Sequence, residues 1–538
     1  MLVQTLRQSG GWDYHTDVLV VGFGGAGACS AIEASDAGAD VRVIEKQDES
    51  GFYSNTRMSG GGFHSPDPSG DKNALKQYAL AMFSGENLPW KLEGELPTDI
   101  ANGLADKWAE YAPENLAWMQ ELDPEFDAVK RRGAAFPAFP GAEESNYRVL
   151  RSTYSGELNN KDRDQVDDPK ELKESGEAFY TCLKSGVDAR DITVDWGTNA
   201  VEFVTDDAGD EILGLVASRD DEQVSYEAGA TVLTTGGFEY NKDLRLNFLE
   251  GPGVEGWAFY GSPANTGRGI EMAMEAGASL SKVHKAAARM VTAVPTRKHG
   301  LKMGLRTPVI GRPHAVVVDN FGKRYAAERT ITEDPSRYFF YKKGVQFDID
   351  ELVYPRVPSW LIFDESLRQK RAVVGLRGVS YHELEWGEDN SAAIEKGWIL
   401  TAETIEQLAG EIRNHPDNRE LMERSTLSET ISVYNQYCND GRDRDYGSDP
   451  ANMGTLTNPP YYALPIYPGG PNTKGGIMAD AERRVLDAER TPIPNLYTAG
   501  EISSAFKFVY QGGGNLAECI TFGRIAGENA AVHATSGR

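Results

Sequence analysis

Residues 17–27 read DVLVVGFGGAG, an apolar run that leads directly into three spaced glycines. Gly22, Gly24 and Gly27 form the pattern G-x-G-x-x-G, and the small residues 28–37 that follow favour a helix. The first glycine allows a tight turn, the second lets the backbone approach a pyrophosphate, and the third lets helix and strand pack closely. The N-terminus of the helix then faces the negative charge. This stretch predicts a strand, a phosphate-binding turn and a helix.

A second apolar run supports the same interpretation. Val41 to Ile44 ends at Glu45, whose carboxylate can accept a hydrogen bond from a ribose hydroxyl. Strand, helix, second strand and acidic residue follow in the order that the motif requires, which argues against a chance glycine-rich turn. We therefore predict a dinucleotide site. Its expected N-terminal residues are Gly22, Gly24, Gly25, Ala26, Gly27, Glu45 and Lys46.

The C-terminal end carries a matching set of motifs. A strand-like run ends at Gly500-Glu501, and after a loop the residues Gly512 to Asn515 open a helical segment. This end resembles the fumarate reductase and succinate dehydrogenase flavoprotein superfamily, as do residues 234–238 and 322–325. In that superfamily Ala-Gly-Glu holds the ribityl chain, and the last helix points its N-terminus at the flavin. The resemblance implies FAD, bound by both ends of the chain together.

The resemblance also implies an α/β fold in which a discontinuous, Rossmann-like FAD-binding domain carries an inserted α+β cap domain, the lid over the substrate. The expected ranges are 1–286 for the first part of the FAD-binding domain, with a helical insertion at 63–177, then 287–459 for the cap and 460–538 for the second part. Within the insertion, residues 159–173 are dense in charge and predict a solvated loop.

Further cofactor contacts are expected around these motifs. Succinate dehydrogenases attach FAD covalently through the His of Ser-His-Thr, and the comparable stretch here has Asn55 in place of that His. Asparagine cannot form the link, so the sequence predicts non-covalent FAD. The remaining expected cofactor residues are Ser54, Asn55, Thr56, Gly60, Gly61, Gly62, Ala200, Val201, Thr235, Gly236, Gly237, Gly500, Glu501, Gly513, Asn515 and Leu516.

The loop at 508–515 bears on the substrate. Fumarate reductases place an Arg that binds a substrate carboxylate four residues before the Asn of Gly-Gly-Asn, but Gln511 stands here, and Lys507 is near the position of the family's His. The loop is instead similar to Tyr-Pro-Gly-Pro-Gly of the 3-ketosteroid Δ1-dehydrogenases, with Tyr510 and Gly514 at matching places. In that family the Tyr hydroxyl and the Gly N–H bind the ketone oxygen. The resemblance implies α,β-desaturation of a cyclic ketone, with hydride transfer to flavin N5.

Proton removal next to a ketone builds negative charge on its oxygen, and fixed donors aimed at that oxygen are worth ~3 kcal/mol each. The base that takes the proton stays open among four residues. Tyr338 and Tyr341 follow the segment after which ketosteroid dehydrogenases carry a Tyr, and Arg312 with His314 lies near the place of the Arg acid of fumarate reductases.

Two alternatives to a ketone dehydrogenase remain. An enoate reductase, similar to fumarate or urocanate reductases, would need cations for a carboxylate, and Arg57, Arg312 and Lys507 are available. A non-enzymatic flavin-binding protein would require neither a lid nor a loop aimed at the flavin.

Composition limits the partners. A formal charge of -26 opposes binding to nucleic acid or to anionic membrane surfaces. No stretch reaches the ~18 apolar residues of a membrane span, and residues 1–12 lack the pattern of a secretion leader. Four scattered cysteines indicate neither disulfides nor a metal site. We expect a cytoplasmic enzyme whose partners are a small-molecule ketone and an external electron acceptor that the sequence does not identify.

Overall fold

The computed structural model describes residues 11–154, 175–329, 340–375 and 386–536. The chain divides into two compact units. Unit 1 comprises Met1–Phe238, Ala264–Lys285 and Thr473–Arg538, and unit 2 comprises Glu239–Pro263 and Ala286–Asn472. Tyr338 and residues 159–173 lie outside the described ranges.

The described ranges contain twenty strands and fourteen α-helices. The strands are β1 (Tyr14–Val21), β2 (Val41–Ile44), β3 (Gly62–His64), β4 (Phe126–Arg132), β5 (Val149–Tyr154), β6 (Thr193–Asp195), β7 (Thr198–Thr205), β8 (Ile212–Arg219), β9 (Glu222–Leu233), β10 (Ala258–Phe259), β11 (Leu280–Ala286), β12 (Arg289–Lys298), β13 (Leu301–Leu305), β14 (Ala315–Val318), β15 (Ser359–Asp364), β16 (Leu400–Ala402), β17 (Tyr461–Gly470), β18 (Thr473–Ile477), β19 (Arg484–Leu486) and β20 (Pro492–Thr498). The helices are α1 (Gly25–Asp36), α2 (Asn55–Met58), α3 (Lys72–Phe83), α4 (Thr98–Tyr111), α5 (Asn115–Leu122), α6 (Ser175–Asp188), α7 (Lys242–Phe248), α8 (Arg268–Glu275), α9 (Phe340–Gly344), α10 (Glu365–Arg368), α11 (Ser391–Glu395), α12 (Ile405–Asn414), α13 (Arg424–Asp440) and α14 (Gly514–Thr535).

The main sheet of unit 1 has the order β19-β20-β9-β1-β2-β6. In addition, β8 pairs with β9, and β7 pairs with β8. Strand β1 runs parallel to both β2 and β9. Residues 18–21 of β1 are buried, as expected for a parallel strand that is covered on both faces. This arrangement confirms the predicted Rossmann-like α/β fold.

The first and last helices of unit 1 pack through small residues. The Ser30 hydroxyl of α1 donates to the Gly523 carbonyl of α14 at 2.9 Å. A Cβ atom added at Gly527 would lie only 2.1 Å from the Ser30 carbonyl oxygen. Glycine in α14 therefore allows the last helix to lie directly against the helix of the G-x-G-x-x-G motif.

The predicted helical insertion is only partly helical. Helices α3, α4 and α5 lie within it, but β4 and β5 also do, and with β3 they form an antiparallel sheet in the order β3-β5-β4. The chain thus adds a small α+β layer to unit 1 rather than helices alone.

Unit 2 is built on a seven-stranded sheet with the order β10-β13-β12-β17-β15-β14, in which β16 also pairs with β17. Its limits differ from the expected range of 287–459. Strand β17 pairs with β12 and β15 of this sheet, and β10, from the segment Glu239–Pro263, pairs with β13. The expected limits were drawn where the flavin motifs stop and resume along the sequence. The limits of the units depend instead on which strands pair, and these strands are far apart in sequence.

The core of unit 2 lies between its sheet and two helices. Buried side chains of β14 and β15, such as Val316 and Trp360, pack against Leu408 of α12 and Leu427 of α13. In the described part of the chain no helix is long and apolar enough to cross a membrane. The same residues contain no group of His, Cys, Asp or Glu side chains suited to hold a metal ion.

Candidate active site

The turn after β1 has the shape that a pyrophosphate needs. Gly22 adopts φ +99°, a conformation that favours glycine. A Cβ atom at Gly27 would lie 1.9 Å from the Gly22 carbonyl oxygen, so only glycine lets α1 start this close to the strand. At Gly24, in contrast, a Cβ atom would meet nothing within 4 Å. Open space therefore lies beside the backbone at the position where the motif requires close approach.

Polar groups suited to a ribose and a diphosphate surround this turn. The Glu45 side chain, in a residue only 6% exposed, accepts hydrogen bonds from the Phe23 N–H and the Gln47 N–H, each at 2.9 Å. The Lys46 ammonium donates to the Thr266 hydroxyl at 3.0 Å, and burial lowers the pKa of Lys46. The Thr235 hydroxyl is buried and has no hydrogen-bond partner within the described ranges. Such an unsatisfied group fits a ligand that carries hydroxyls and phosphates.

Hydrogen bonds join the two ends of the chain. The Asn55 side-chain amide donates to the Glu501 carboxylate at 3.2 Å, and the Thr473 hydroxyl donates to the other oxygen of the same carboxylate at 3.2 Å. The Thr56 hydroxyl accepts from the Gly25 N–H at 2.9 Å. These contacts bring the N-terminal and C-terminal motifs into one constellation, and the residues present fit the FAD that both ends predict.

Several other predicted cofactor residues have packing roles in unit 1. A Cβ atom at Gly61 would lie 2.3 Å from the Ser175 backbone, and one at Gly500, where φ is +82°, would lie 2.8 Å from the Ala26 side chain. At Gly60 a Cβ atom would meet nothing within 4 Å.

The remaining predicted cofactor residues lie in turns or packed elements. Ser54 caps α2, Gly236 and Gly513 adopt positive φ, and the Val201 carbonyl accepts from the Arg268 guanidinium at 3.0 Å. Gly62, Ala200, Gly237 and Leu516 are buried or half-buried. Their roles toward FAD stay predictions.

Tyr510 lies at the start of the last helix. Its ring, in a residue 7% exposed, meets the Phe506 ring edge to face with centroids 5.6 Å apart. The Asn515 N–H, in the first turn of α14, points at the Tyr510 hydroxyl oxygen at 3.4 Å. The N–H groups at the start of a helix have no partners within the helix and carry partial positive charge. The hydroxyl of Tyr510 thus lies at the positive end of a 22-residue helix.

Gly514 differs from the expectation drawn from the ketosteroid dehydrogenases. Its N–H, expected to bind a ketone oxygen, donates to the Gln511 carbonyl at 3.0 Å within the turn. A Cβ atom at this position would lie 2.6 Å from the Phe506 ring. In the structure, close packing against Phe506 is what requires glycine here.

Gln511 is held inside unit 1 by three partners. Its side-chain carbonyl accepts from the Tyr78 hydroxyl at 2.6 Å and from the Ala135 N–H at 3.2 Å, and its amide donates to the Gly133 carbonyl at 3.2 Å. The residue is 1% exposed. At the position where the resemblance to fumarate reductases led us to expect a carboxylate-binding Arg, this chain has an amide whose hydrogen bonds hold the loop in place.

The neighbouring carbonyl of Gly512 is anchored in the same way. It accepts from the Arg132 guanidinium at 3.1 Å and from the His64 Nε2 at 3.3 Å. Because a carbonyl only accepts, His64 carries its proton on Nε2, and its Nδ1 accepts from the Tyr147 hydroxyl. Burial lowers the pKa of His64 to about 3, so the ring is neutral. Nothing in the sequence pattern indicated that the insertion holds this loop.

Two lysine side chains of the C-terminal segment are buried, and one of them lies against Tyr510. The Lys474 ammonium forms an ion pair with Glu518, donates to the Ser504 hydroxyl at 2.8 Å, and lies 4.7 Å from the centroid of the Tyr510 ring. The Lys507 ammonium donates to the Ser281 carbonyl at 3.0 Å. Burial, more than any neighbouring charge, lowers the pKa of Lys507 to about 7.

Of the other two cations proposed to bind a carboxylate substrate, Arg57 is paired with a carboxylate and Arg312 is exposed. Arg57 binds Glu177 with two nitrogen atoms, its Nε at 3.1 Å and its Nη2 at 2.5 Å, and its third nitrogen donates to the Phe52 carbonyl. Arg312 is exposed in unit 2. Arg57 and Lys507 thus already bond to carboxylate or carbonyl groups within unit 1.

Of the candidates for the base, Arg312, His314 and Tyr341 are described and belong to unit 2. The Nδ1 of His314 bonds to the Thr455 carbonyl at 2.8 Å. Tyr341 is buried, and burial raises its pKa to about 12, which opposes a role as a base near neutral pH. Tyr338 lies outside the described residues.

Comparison with curated proteins finds relatives along almost the entire chain. A protein named probable fumarate reductase Ifc3, from Shewanella frigidimarina, is 29% identical over 527 residues, which cover 96% of this chain and 75% of that protein. The 3-oxosteroid 1-dehydrogenase of Mycolicibacterium smegmatis is 25% identical over an alignment that covers 97% of this chain and 98% of that protein.

Comparison with solved structures supports the fold. The 3-ketosteroid delta1-dehydrogenase of Sterolibacterium denitrificans, in complex with 1,4-androstadiene-3,17-dione, superposes with a TM-score of 0.78 and 22% identity, covering 97% of this chain and 100% of that chain. The family model described as FAD binding domain matches residues 17–516. The chain therefore belongs to the FAD binding domain family and is a flavin-dependent oxidoreductase.

Proposed function

We propose that the protein is an FAD-dependent dehydrogenase that forms a double bond next to the carbonyl group of a cyclic ketone. The observation that carries this proposal is the loop at 507–514. Buried Tyr510 lies there at the positive end of α14, while Gln511, at the position of a carboxylate-binding Arg, is neutral and bonded to Tyr78, Ala135 and Gly133.

The chemistry needs a hydrogen-bond donor where negative charge develops. Loss of a proton from the carbon next to the ketone moves charge onto the ketone oxygen. A hydroxyl fixed by packing, like that of Tyr510 against Phe506, can donate to this oxygen without reorganising, which is worth about 3 kcal/mol. FAD, when bound, supplies a two-electron acceptor for the hydrogen that leaves the adjacent carbon.

Among the residues proposed as the base, His314 has the most suitable chemistry. The Thr455 carbonyl can only accept, so His314 carries a proton on Nδ1. In the neutral ring Nε2 then holds the lone pair that can take a proton. Tyr341, with its pKa raised to about 12, is the weaker candidate.

The substrate class is supported by a relative that is a 3-oxosteroid 1-dehydrogenase. The Mycolicibacterium protein named 3-oxosteroid 1-dehydrogenase aligns over 98% of its own length. We propose a ketone with a six-membered ring, either a single ring or part of a steroid.

A second candidate function is reduction of an unsaturated carboxylic acid. The relative named probable fumarate reductase, at 29% identity, favours it. Such a reaction needs cations for the carboxylate. Lys507 is the only cation among residues 501–515, and its ammonium bonds to the Ser281 carbonyl, while Arg57 is paired with Glu177. These contacts favour the ketone dehydrogenase.

The test is anaerobic mixing of the purified yellow protein with 4-androstene-3,17-dione or cyclohexanone, while the flavin absorbance is followed. We expect one of these ketones to bleach the flavin, and Tyr510→Phe to slow bleaching about 100-fold while FAD stays bound. If neither ketone bleaches the flavin, but fumarate or urocanate reoxidises the dithionite-reduced protein, the reductase is the function.

A further inference from the structure

Lys474 places a positive charge against the ring of Tyr510 inside unit 1. The residue is 1% exposed, and its ammonium lies 4.7 Å from the Tyr510 ring centroid and 5.0 Å from the Phe506 ring centroid. Those two rings meet at 84°. The ammonium thus contacts both aromatic side chains in a setting from which water is excluded.

Other contacts fix this ammonium in place. It donates to the Ser504 hydroxyl at 2.8 Å and pairs with Glu518. The second oxygen of the Glu518 carboxylate accepts from the Ser504 hydroxyl at 2.8 Å and from the Ala505 N–H at 3.2 Å. The carboxylate shares its charge among three donors, and the cation has little freedom to move away from the rings.

Stability alone gives a weak reason for such a pair. Removing two charges from water costs several kcal/mol, and apolar residues of similar volume often stabilise a core as well or better. A methionine could fill the volume of Lys474 against Phe506 and Tyr510. The charge itself is therefore the feature that needs an explanation.

We infer that Lys474 is a positioning residue that makes the Tyr510 hydroxyl a stronger hydrogen-bond donor, an inference that rests on the proposed ketone chemistry. A cation over an aromatic face attracts the electrons of the ring, most strongly where it is desolvated. The Asn515 N–H acts in the same direction, since it donates to the hydroxyl oxygen. Both interactions strengthen as negative charge reaches the ring from a ketone oxygen, so they favour the transition state over the bound ketone.

The test removes the ion pair as a unit. Lys474→Met/Glu518→Gln deletes both charges and keeps the total charge of the protein, whereas Lys474→Arg keeps the cation. Each change is also made in the Tyr510→Phe background. Flavin bleaching by 4-androstene-3,17-dione and by cyclohexanone is measured, together with the infrared C=O stretching frequency of the bound ketone, on variants that retain full FAD content.

We expect the double variant to bleach about tenfold more slowly than the wild type with little change in ketone dissociation constant. The C=O stretch of the bound ketone should also lie closer to that of the free ketone. Lys474→Arg should restore most of the rate. In the Tyr510→Phe background, removal of the pair should cost almost nothing further, because its effect acts through the missing hydroxyl.

Two outcomes would overturn the positioning role of Lys474, and only the second would also overturn the proposed function. If ketones bleach the wild type and Tyr510→Phe slows it, but removal of the ion pair costs the same with and without the hydroxyl, the pair is structural while the proposed function stands. If no ketone bleaches the wild-type flavin, the proposed function fails and the role of Lys474 fails with it.

Discussion

The Tyr78 hydroxyl donates a hydrogen bond of 2.6 Å to the side-chain carbonyl of Gln511, a residue 433 positions further along the chain. Tyr78 belongs to α3, in the added layer of unit 1, and Gln511 to the loop before α14. With Arg132 and His64 on the Gly512 carbonyl, this contact makes the added layer the support of the loop that carries Tyr510.

Replacing Tyr78 with Phe should loosen that support. The change removes the hydrogen-bond donor to Gln511. It also removes the hydroxyl oxygen that accepts from the Ala135 N–H and the Phe136 N–H, and the Ala135 N–H keeps its 3.2 Å bond to Gln511. We expect a loss of about 1–3 kcal/mol in the free energy of unfolding, measured by urea denaturation of the FAD-bound protein. Tyr437→Phe, whose hydroxyl bonds to Asp445 on the surface, is the control and should change little. Equal effects of the two variants would contradict the proposed support.

An arginine at position 511 should not create a fumarate reductase. Arginine has no acceptor, so Gln511→Arg would leave the Tyr78 hydroxyl without its acceptor and the Ala135 N–H with only the Tyr78 oxygen, and it would bury a charge. We expect a loss of about 2–4 kcal/mol in unfolding free energy.

The matched control is Gln120→Arg, since Gln120 is exposed on α5. It should leave stability unchanged. Fumarate-dependent reoxidation of the reduced flavin is measured on the same samples. A Gln511→Arg protein that is as stable as the wild type and reduces fumarate would favour the reductase over the ketone dehydrogenase.

FAD should leave the protein on denaturation. Asn55 stands where succinate dehydrogenases have their linking His, and its amide donates to Glu501 instead. After acid precipitation and centrifugation, we expect the yellow colour in the supernatant, with the absorbance spectrum of free FAD. Colour that stays with the pellet would show a covalent link at another residue.

Lys507 should make stability depend on pH. Burial lowers its pKa to about 7 in the folded protein, whereas an unfolded lysine titrates near ~10.4. Between these values the unfolded chain binds more protons than the folded one, so the unfolding free energy contributed by this group rises with pH by up to about 1.4 kcal/mol per pH unit. Below about pH 7 both states are protonated, and the contribution no longer changes.

The measurement is the free energy of unfolding of Lys507→Met minus that of the wild type, followed from about pH 7 to pH 10. We expect Lys507→Met to be the more stable at the lower end of this range, with an advantage that shrinks as pH rises. Lys370→Met, at an exposed position, should run parallel to the wild type. If Lys507→Met also runs parallel, the ammonium of Lys507 is not destabilised by burial.

Local patterns were sufficient for the FAD-binding fold. The stretch 17–27 with Glu45, and the run that ends at Gly500-Glu501, predicted strands, a turn and a helix that the structure contains. These predictions succeeded because a glycine turn, an apolar strand and a helix start depend on residues that are neighbours in the chain.

By itself, then, the sequence determined the Rossmann-like fold, FAD as the cofactor and the absence of an Arg at position 511. Only the tertiary structure decided that Gln511 bonds to Tyr78 and that the Gly512 carbonyl bonds to His64 and Arg132. It also decided that the Lys474–Glu518 ion pair lies against the Tyr510 ring. Each of these contacts joins residues tens to hundreds of positions apart, and no helical or strand period relates them. Such partners are set by packing in three dimensions, because a buried donor or charge is costly unless an acceptor or an opposite charge lies beside it, whatever their separation in sequence.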